Sequence, residues 1–217
     1  MSKYHFFQQI LPSIYERISI MSYHFFAIMS RMKYINRWSL MNNTRTENIS
    51  EHSLTVAMLA HALTVIHNKK CGGCLNPEHA AALALFHDCT EIITGDLPTP
   101  IKYSSKTLRN AYKDIEHEAA NQLLSSLPDY MQEEYQNLLI PDEPDPYLLK
   151  LVKGADRLSA LIKCIEELQM GNSEFSKAKD EILSSLHKMN LPEVMIFMDD
   201  FLPSFSLSLD EQNIALQ

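Results

Sequence analysis

Glycine is scarce in this 217-residue chain, which has only five against an average usage of about 7%. Sheet proteins use glycine heavily in turns, so the shortage favours helices. Cysteine is sparse too. Cys71, Cys74, Cys89 and Cys164 are too few and too scattered for a disulfide scaffold, and they suit a reducing, cytoplasmic compartment. No run of about 18 apolar residues occurs, so no membrane-spanning segment is expected. Lys3 precedes an aromatic stretch, but Gln8, Gln9, Pro12, Glu16 and Arg17 interrupt any signal-peptide core. Positive charge is in deficit, with 19 Lys+Arg against 27 Asp+Glu and a net charge of −8. A protein that tracks a nucleic-acid backbone normally carries a basic surplus, so no polymeric nucleic acid is expected as a partner. A small phosphate stays compatible if a metal and a few local cations focus on it.

What is present defines one domain. The chain is 46% hydrophobic and 21% charged, which excludes collagen-like, coiled-coil and disordered classes. Its length buries a core without help from disulfides or a structural metal. Phe25, Ile28, Met29, Met32 and Ile35 recur at helical spacing, and Arg37 and Trp38 follow. Ser50 is a candidate cap for the next helix, whose inward stripe is His52, Val56, Leu59, Leu63 and Ile66. Asn76-Pro77 reads as cap plus first helical residue. Ala80, Ala84, His87 and Glu91 then form one stripe, with Asp88 beside it and Gly95 at the end. Asp96-Leu97-Pro98-Thr99-Pro100 should not continue a helix. Helices are expected over about 105–127, 129–139, 147–170, 173–189 and 193–202. On the 147–170 helix, Leu149, Val152, Asp156 and Ala160 share a face. No segment alternates convincingly as a strand. The expectation is an all-α protein of seven or eight helices.

Three inward stripes thus carry polar ligand types: His52, His87 with Asp88, and Asp156. A single histidine on such a face is ordinarily a satisfied core residue. An aspartate there needs a cation or several donors, because an unpaired buried carboxylate is costly. A divalent metal would satisfy all four groups. Two imidazoles and two carboxylates suit Mn²⁺, Co²⁺, Fe²⁺, Ni²⁺ or Zn²⁺ better than the all-oxygen sites of Ca²⁺ or Mg²⁺. Four ligands on a six-coordinate ion leave two positions for a water and a substrate oxygen, a hydrolytic arrangement. Cys71-x-x-Cys74 has zinc or redox spacing but no second pair, and its glycines suggest a turn. Cys89 reads as a small apolar filler. Lys102 and Lys153 read as surface lysines, and His61, His67, His79, His117 and His187 fall off the inward stripes and should be exposed.

The series His52 … His87-Asp88 … Asp156 resembles the H…HD…D signature of the HD-domain metal-dependent phosphohydrolases. The strings INRWSLMNNTRTENISEHS, HDCTEIITGDLPTP, GADRLSALIKCIEEL and FLPSFSLSLDE closely resemble the bacterial 5′-deoxynucleotidases of that superfamily. The resemblance runs from about Met21 to Glu211. It implies an HD-domain helical bundle with a buried mononuclear metal site over residues 21–211, flanked by an extension (1–20) and a tail (212–217). It further implies hydrolysis of deoxyribonucleoside 5′-monophosphates, a homodimer, and best activity with Co²⁺, Mn²⁺ or Cu²⁺. His52, His87, Asp88 and Asp156 fall on the metal ligands. Arg37 and Trp38 match a substrate-contacting pair in which the arginine orients the phosphate. Glu91 takes the acidic, proton-handling position, and Asp96, Leu97, Pro98 and Thr99 match the nucleoside-holding loop. His52, Asp88 and Asp156 also border substrate. Two features depart from the pattern: residues 1–20 and the Cys71–Cys74 loop. Two alternatives stay open: an HD hydrolase of a polyphosphate or cyclic nucleotide, and a non-catalytic nucleotide-sensing module.

Overall fold

The computed structural model describes residues 23–102, 104–141 and 145–212. The extension 1–20, Met21 and the end of the tail lie outside the described residues. Helix α1 (Phe25–Met29) runs into a 3₁₀ turn (Ser30–Tyr34). After a loop come α2 (Ile49–Lys70), α3 (Pro77–Phe86), α4 (Glu91–Thr94) and α5 (Thr99–Lys102). Then follow α6 (Lys106–Ser125), α7 (Asp129–Leu139) and α8 (Pro146–Gln169). A 3₁₀ turn (Ser173–Phe175) leads to α9 (Ser176–Met189) and α10 (Pro192–Asp200). Among the described residues there is no strand, only an isolated antiparallel bridge between Asn36 and Asn48. The all-α expectation holds.

Helix α2 is the axis of the fold, packed between α3 and α8. Its buried side chains Val56, Leu59, Ala60 and Leu63 meet Leu83 and Ala84 of α3 and Leu151, Ala155 and Leu158 of α8 in the main core. Gly154 allows one close approach there. A Cβ at that position would lie 3.0 Å from Val194 Cγ2 on α10, so the helix interior accepts glycine's entropic cost to keep α10 seated. A smaller core joins Phe25, Cys89, Leu123, Leu124 and Leu127, with Phe25 edge-on to Tyr135 at 5.0 Å. Cys89 is the apolar filler expected of it. By length and composition α2 would also qualify as a membrane span, against the expectation that no segment would. Its position at the centre of the main core accounts for that hydropathy.

Several local expectations need correction. Asn48, not Ser50, caps α2. Its carboxamide oxygen accepts from the Ser50 and Glu51 amides at 3.0 and 3.1 Å, so the helix starts earlier and Ser50 sits inside it. Asn76 caps α3 as expected, accepting from the His79 amide. The stripe through Glu91 is not one helix, because α3 stops at Phe86 and α4 begins at Glu91. Past Gly95, with its φ of 74°, a helical turn (α5) starts at Thr99. Pro100 falls in its first turn, where a missing N–H costs nothing. These short pieces raise the helix count above seven or eight. The buried line of α8 passes through Leu148, Leu151, Ala155, Leu158 and Ile162. Of the face read from the sequence, Val152 is in the core, while Leu149, Asp156 and Ala160 flank it. His67 is not exposed: its Nδ1 lies 2.6 Å from the fully buried Glu193 carboxylate, which also accepts from Tyr147 Oη at 3.0 Å. His61 is half-buried.

The loop between the first 3₁₀ turn and α2 is tied to the far end of α8. Glu167, fully buried, accepts from the Thr44 and Arg45 amides at 2.9 and 3.1 Å and from Asn172 Nδ2 at 2.8 Å. Lys163 Nζ bonds the same carboxylate and the Arg45 carbonyl. Burial opposes ionisation of Glu167, but Lys163 and these donors hold its carboxyl well below the usual range. A depressed carboxyl adds stability above its unfolded-state value and loses it as pH falls. Glu167→Gln leaves the Lys163 ammonium buried without its partner and should cost about 3 kcal/mol in urea unfolding at pH 7. The gap between variant and wild type should narrow by about 1.4 kcal/mol per pH unit below about 4.3. A gap that stays constant between pH 7 and pH 3 would refute the ionised assignment.

Candidate metal centre

The adjacent His87 and Asp88 lie where α3 breaks. The His87 amide reaches the Ala84 carbonyl at 3.4 Å, Cys89 reaches Phe86 at 3.1 Å, and Glu91 reaches Asp88 at 3.0 Å. These three-residue turns tighten the backbone and swing α4 off the α3 axis. His87 Nδ1 donates to the Ala84 carbonyl at 2.6 Å, which fixes the tautomer and leaves Nε2 with a free lone pair. From the first turns of α2, fully buried His52 sets its Nδ1 3.0 Å from Ser159 Oγ on α8. Its Nε2 faces the same point as that of His87, and the ring centroids are 5.3 Å apart.

Around that point, His87 Nε2 lies 3.1 Å from Asp88 Oδ2. His52 Nε2 lies 3.5 Å from Asp88 Oδ2 and 3.2 Å from Asp156 Oδ1. Both Nε2 atoms are buried without a hydrogen-bond partner. Donors aimed at acceptors would be bonded at such distances; ligand atoms arranged around a common centre would not. His52, His87 and Asp88 can each offer one atom within a 4.8 Å cluster able to hold a metal ion. Asp156 stands beside this trio, not within it. It touches His52, while Lys153 Nζ bonds its other oxygen.

The electrostatics bind these groups together. Burial and the nearby Arg37 charge lower the pKa of His52, favouring the neutral ring. Burial also opposes protonation of His87, but Asp88 and Asp156 raise its pKa. Against burial, His87 takes the Asp88 carboxyl down to about 2. His52 and Lys153 hold Asp156 well below the carboxylate range despite its burial. Glu91 behaves oppositely: burial, then Asp88 and Asp96, push it up to about 9. Its Oε2 is buried with no hydrogen-bond partner. Asp96 is half-buried and raised by burial, under the opposing influence of Arg37.

Arg37, in the loop before α2, acts on the charges of the cluster, and Trp38 follows it in the chain. Arg37 is not a surface cation. Its side chain is 14% exposed and donates to Glu47 Oε2 at 2.6 Å. Burial works against its charge, but the carboxylates of Glu47, Asp156 and Asp88 raise its pKa. Trp38 has the left-handed φ of 61°, uncommon for a bulky residue, and its ring packs 5.4 Å from Phe175. Lys102 is pinned between Glu116 at 2.8 Å and the Tyr112 ring at 4.5 Å. Leu97 and Pro98 are half-buried between α4 and α5. Thr99 opens α5, and its side chain lies outside the described residues. Cys71 and Cys74 are free thiols and form no ligand cluster with other described residues. Sequence reasoning missed Ser159, Glu47 and Glu167. All three lie within the quoted motif strings, but neither polarity nor spacing marks them there.

A helical domain with a His–Asp pair at a broken helix, and a further His and Asp on two core helices, is the HD-domain phosphohydrolase architecture. An HD-domain phosphohydrolase from Listeria innocua superposes with a TM-score of 0.73 at 23% identity, over 87% of this chain and 91% of that one. A cyanophage S-2L HD phosphohydrolase, described as bound to dA and one catalytic Zn²⁺ ion, superposes at 0.59 with 19% identity, over 82% and 96%. In sequence, a 5′-deoxynucleotidase from Shewanella oneidensis is 50% identical over 193 residues, covering 89% of this chain and 99% of that protein. One from Yersinia pseudotuberculosis is 52% identical over 188 residues, covering 87% and 95%. The family model "5′-deoxynucleotidase YfbR-like" matches residues 24–205. The chain belongs to the YfbR-like 5′-deoxynucleotidase family.

The Glu91 carboxyl gives a direct check on the site without metal. A carboxyl raised in the folded state loses stability as pH climbs from its unfolded value to its folded one. In chelator, Glu91→Gln and wild type should unfold at equal urea concentrations near pH 4. By pH 7 the variant should be the more stable by about 3–4 kcal/mol. Equal stabilities at pH 7 would show that Glu91 is not held neutral.

Proposed function

We propose that this chain hydrolyses deoxyribonucleoside 5′-monophosphates to deoxynucleoside and phosphate. The reading further assigns one divalent transition metal to His52, His87, Asp88 and Asp156. One observation carries the metal assignment: two buried imidazole nitrogens, unpaired and convergent, beside an ionised carboxylate. Neutral imidazole and carboxylate together suit Mn²⁺, Co²⁺ or Cu²⁺, in keeping with the sequence resemblance. Bound there, such an ion would supply Lewis acidity and neutralise phosphate charge. The substrate class follows family membership and the relatives' names.

The chain's own residues supply the rest. Arg37 presents a planar fork of donors, which suits phosphate oxygens bidentately. Glu91, neutral and buried near Asp88, can hold or pass a proton within the site. Ser159 and the Ala84 carbonyl fix the two imidazoles from behind, as outer partners of ligating histidines do. Asp96, Leu97, Pro98 and Thr99 form the nucleoside side of the cleft, and Trp38 forms a rigid wall. Four free cysteines fit work in a reducing cytoplasm, and the assembly is a homodimer in this reading. No serine or cysteine nucleophile is needed.

Phosphate release from a panel of deoxy- and ribonucleoside monophosphates, polyphosphates and cyclic nucleotides tests this, with chelator and with added Mn²⁺ or Co²⁺. Deoxymonophosphates alone should turn over, and chelator should stop them. Asp156→Ala should lose both bound metal and turnover while unfolding near wild type, since α8 keeps its buried apolar line. Unchanged metal content would remove Asp156 from the ligand set.

Trp38 carries the sugar discrimination. An apolar pocket rejects an added hydroxyl only by about 10²-fold, so stronger exclusion needs a stiff wall that offers the 2′-hydroxyl neither room nor partner. Trp38→Ala should raise the ribo-to-deoxy ratio of kcat/KM, even if both values fall. A ratio unchanged in a metal-loaded variant would pass the role to the Asp96–Thr99 segment.

A further inference from the structure

We infer that Glu47 is the positioning residue that locks the Arg37 guanidinium and the Trp38 indole into one fixed relation. The inference rests on the substrate reading above and adds to it a residue that touches neither phosphate nor sugar. A single carboxylate oxygen, Glu47 Oε2, accepts from Arg37 Nη1 at 2.6 Å and from Trp38 Nε1 at 3.0 Å. The Arg37 guanidinium carbon lies 5.8 Å from the indole centroid. The backbone repeats the pairing: the Arg37 amide donates to the Glu47 carbonyl at 2.9 Å, and Ile49 donates to Ile35 at 2.9 Å. Residues 38–46 thus form a loop closed at a short antiparallel neck, with Arg37 on one side of the neck, Trp38 next to it at the start of the loop, and their anchor on the other side.

Three features of the loop separate this role from ordinary loop support. The loop itself is held elsewhere. Glu167 binds the Thr44 and Arg45 amides, and Asn172 Nδ2 donates to the Asn42 carbonyl at 2.7 Å. Removing the Glu47 carboxylate therefore frees two side chains, not the loop. Next, Arg37 has competing partners. Asp156 and Asp88 both act on its charge, and an arginine released from Glu47 would swing towards them and be lost to phosphate. With one donor engaged by Glu47, the fork keeps others free. Finally, Trp38 is held at a left-handed φ by bonds to its carbonyl from Met41 N at 2.9 Å and Asn43 Nδ2 at 3.1 Å. That backbone sets where the indole starts, and the bond to Glu47 sets where it points.

Trp38 is the sole tryptophan, so its fluorescence reports the anchor independently of turnover. The test compares wild type, Glu47→Ala and Glu47→Gln by emission spectrum, acrylamide quenching, thermal midpoint and steady-state kinetics on a deoxy- and a ribonucleoside monophosphate. Glu47→Ala should shift emission to the red, increase quenching, raise KM for the deoxymonophosphate about tenfold or more and narrow the deoxy-to-ribo preference. Its kcat should change much less than its KM. Glu47→Gln keeps an acceptor for the indole but no charge for the guanidinium. It should emit like wild type and still raise KM. Both variants should melt close to wild type, because the Glu167 anchor remains.

Unchanged KM and sugar preference in Glu47→Ala would overturn the inference, and so would a fall in kcat equal to the rise in KM together with a large drop in melting temperature. Should Glu47→Ala not fold, Glu47→Gln decides by its KM alone. If wild type turns over no monophosphate, the substrate reading falls by itself. The emission of Glu47→Ala then still decides the anchor: a red shift upholds it and an unchanged spectrum overturns it.

Discussion

The burial of α2 between α3 and α8 is the constraint on which the rest of this structure depends. Along most of its length that burial is satisfied by aliphatic contacts such as Val56, Leu63, Leu83 and Leu151. At the N-terminal end the same geometry forces a polar ring, His52, into a space with no access to water. Its Nδ1 finds Ser159, but its Nε2 finds only other ligand-type atoms. A buried ring nitrogen without a partner is costly in an apolar core. It is tolerable where His87 and Asp88 converge on it and Asp156 touches it from α8. The apolar packing and the site are one arrangement: the helices that fill the core also set the distances of the cluster.

How much of this is visible in the sequence depends on how far each residue's partner lies along the chain. His52 was legible because it continues the Val56–Leu59–Leu63 stripe, a local pattern. Asp156 was legible as a polar residue among apolar ones, although it flanks the buried line of α8 instead of lying on it. The break at His87 was not. The spacing of Ala80, Ala84, His87 and Glu91 continues formally through it, while the backbone turns on bonds to Ala84, Phe86 and Asp88 that periodicity does not encode. Ser159 and Glu167 were illegible for another reason. Ser159 meets His52 across 107 residues, and Glu167 meets the Thr44 amide across 123. Each looks like an ordinary polar residue until the fold brings its partner near.

The loop before α2 shows how such distant contacts do local work. Its chemistry-bearing residues sit on backbone that no helix or sheet stabilises, and loops left to themselves are mobile. Here the buried Lys163–Glu167 pair and Asn172 grip the loop by its main-chain groups. Phe175 receives the Trp38 ring. A buried ion pair is weak evidence for stability in itself, since desolvation offsets its attraction. Its value lies in geometry. Main-chain donors held by a buried carboxylate give Arg37 and Trp38 a platform nearly as fixed as a helix.

Charge completes the argument. Around the cluster, Asp88, Asp96, Asp156 and Glu91 are set against a smaller number of cations: Arg37, Lys102 and Lys153. Those cations are already engaged by Glu47, Glu116 and Asp156. A chain with a net charge of −8 that left all four acids ionised would repel an anionic ligand. Two features of the chain reduce that repulsion. Glu91 is driven neutral by its own burial and by the acids around it, so it is not a fourth negative charge. The carboxylates that stay ionised are those touching imidazole nitrogens, where their charge is directed at the cluster. The division of three of these acids into one neutral group and two directed anions follows from position: Glu91 Oε2 is buried without a partner, and Asp88 and Asp156 lie against imidazole nitrogens.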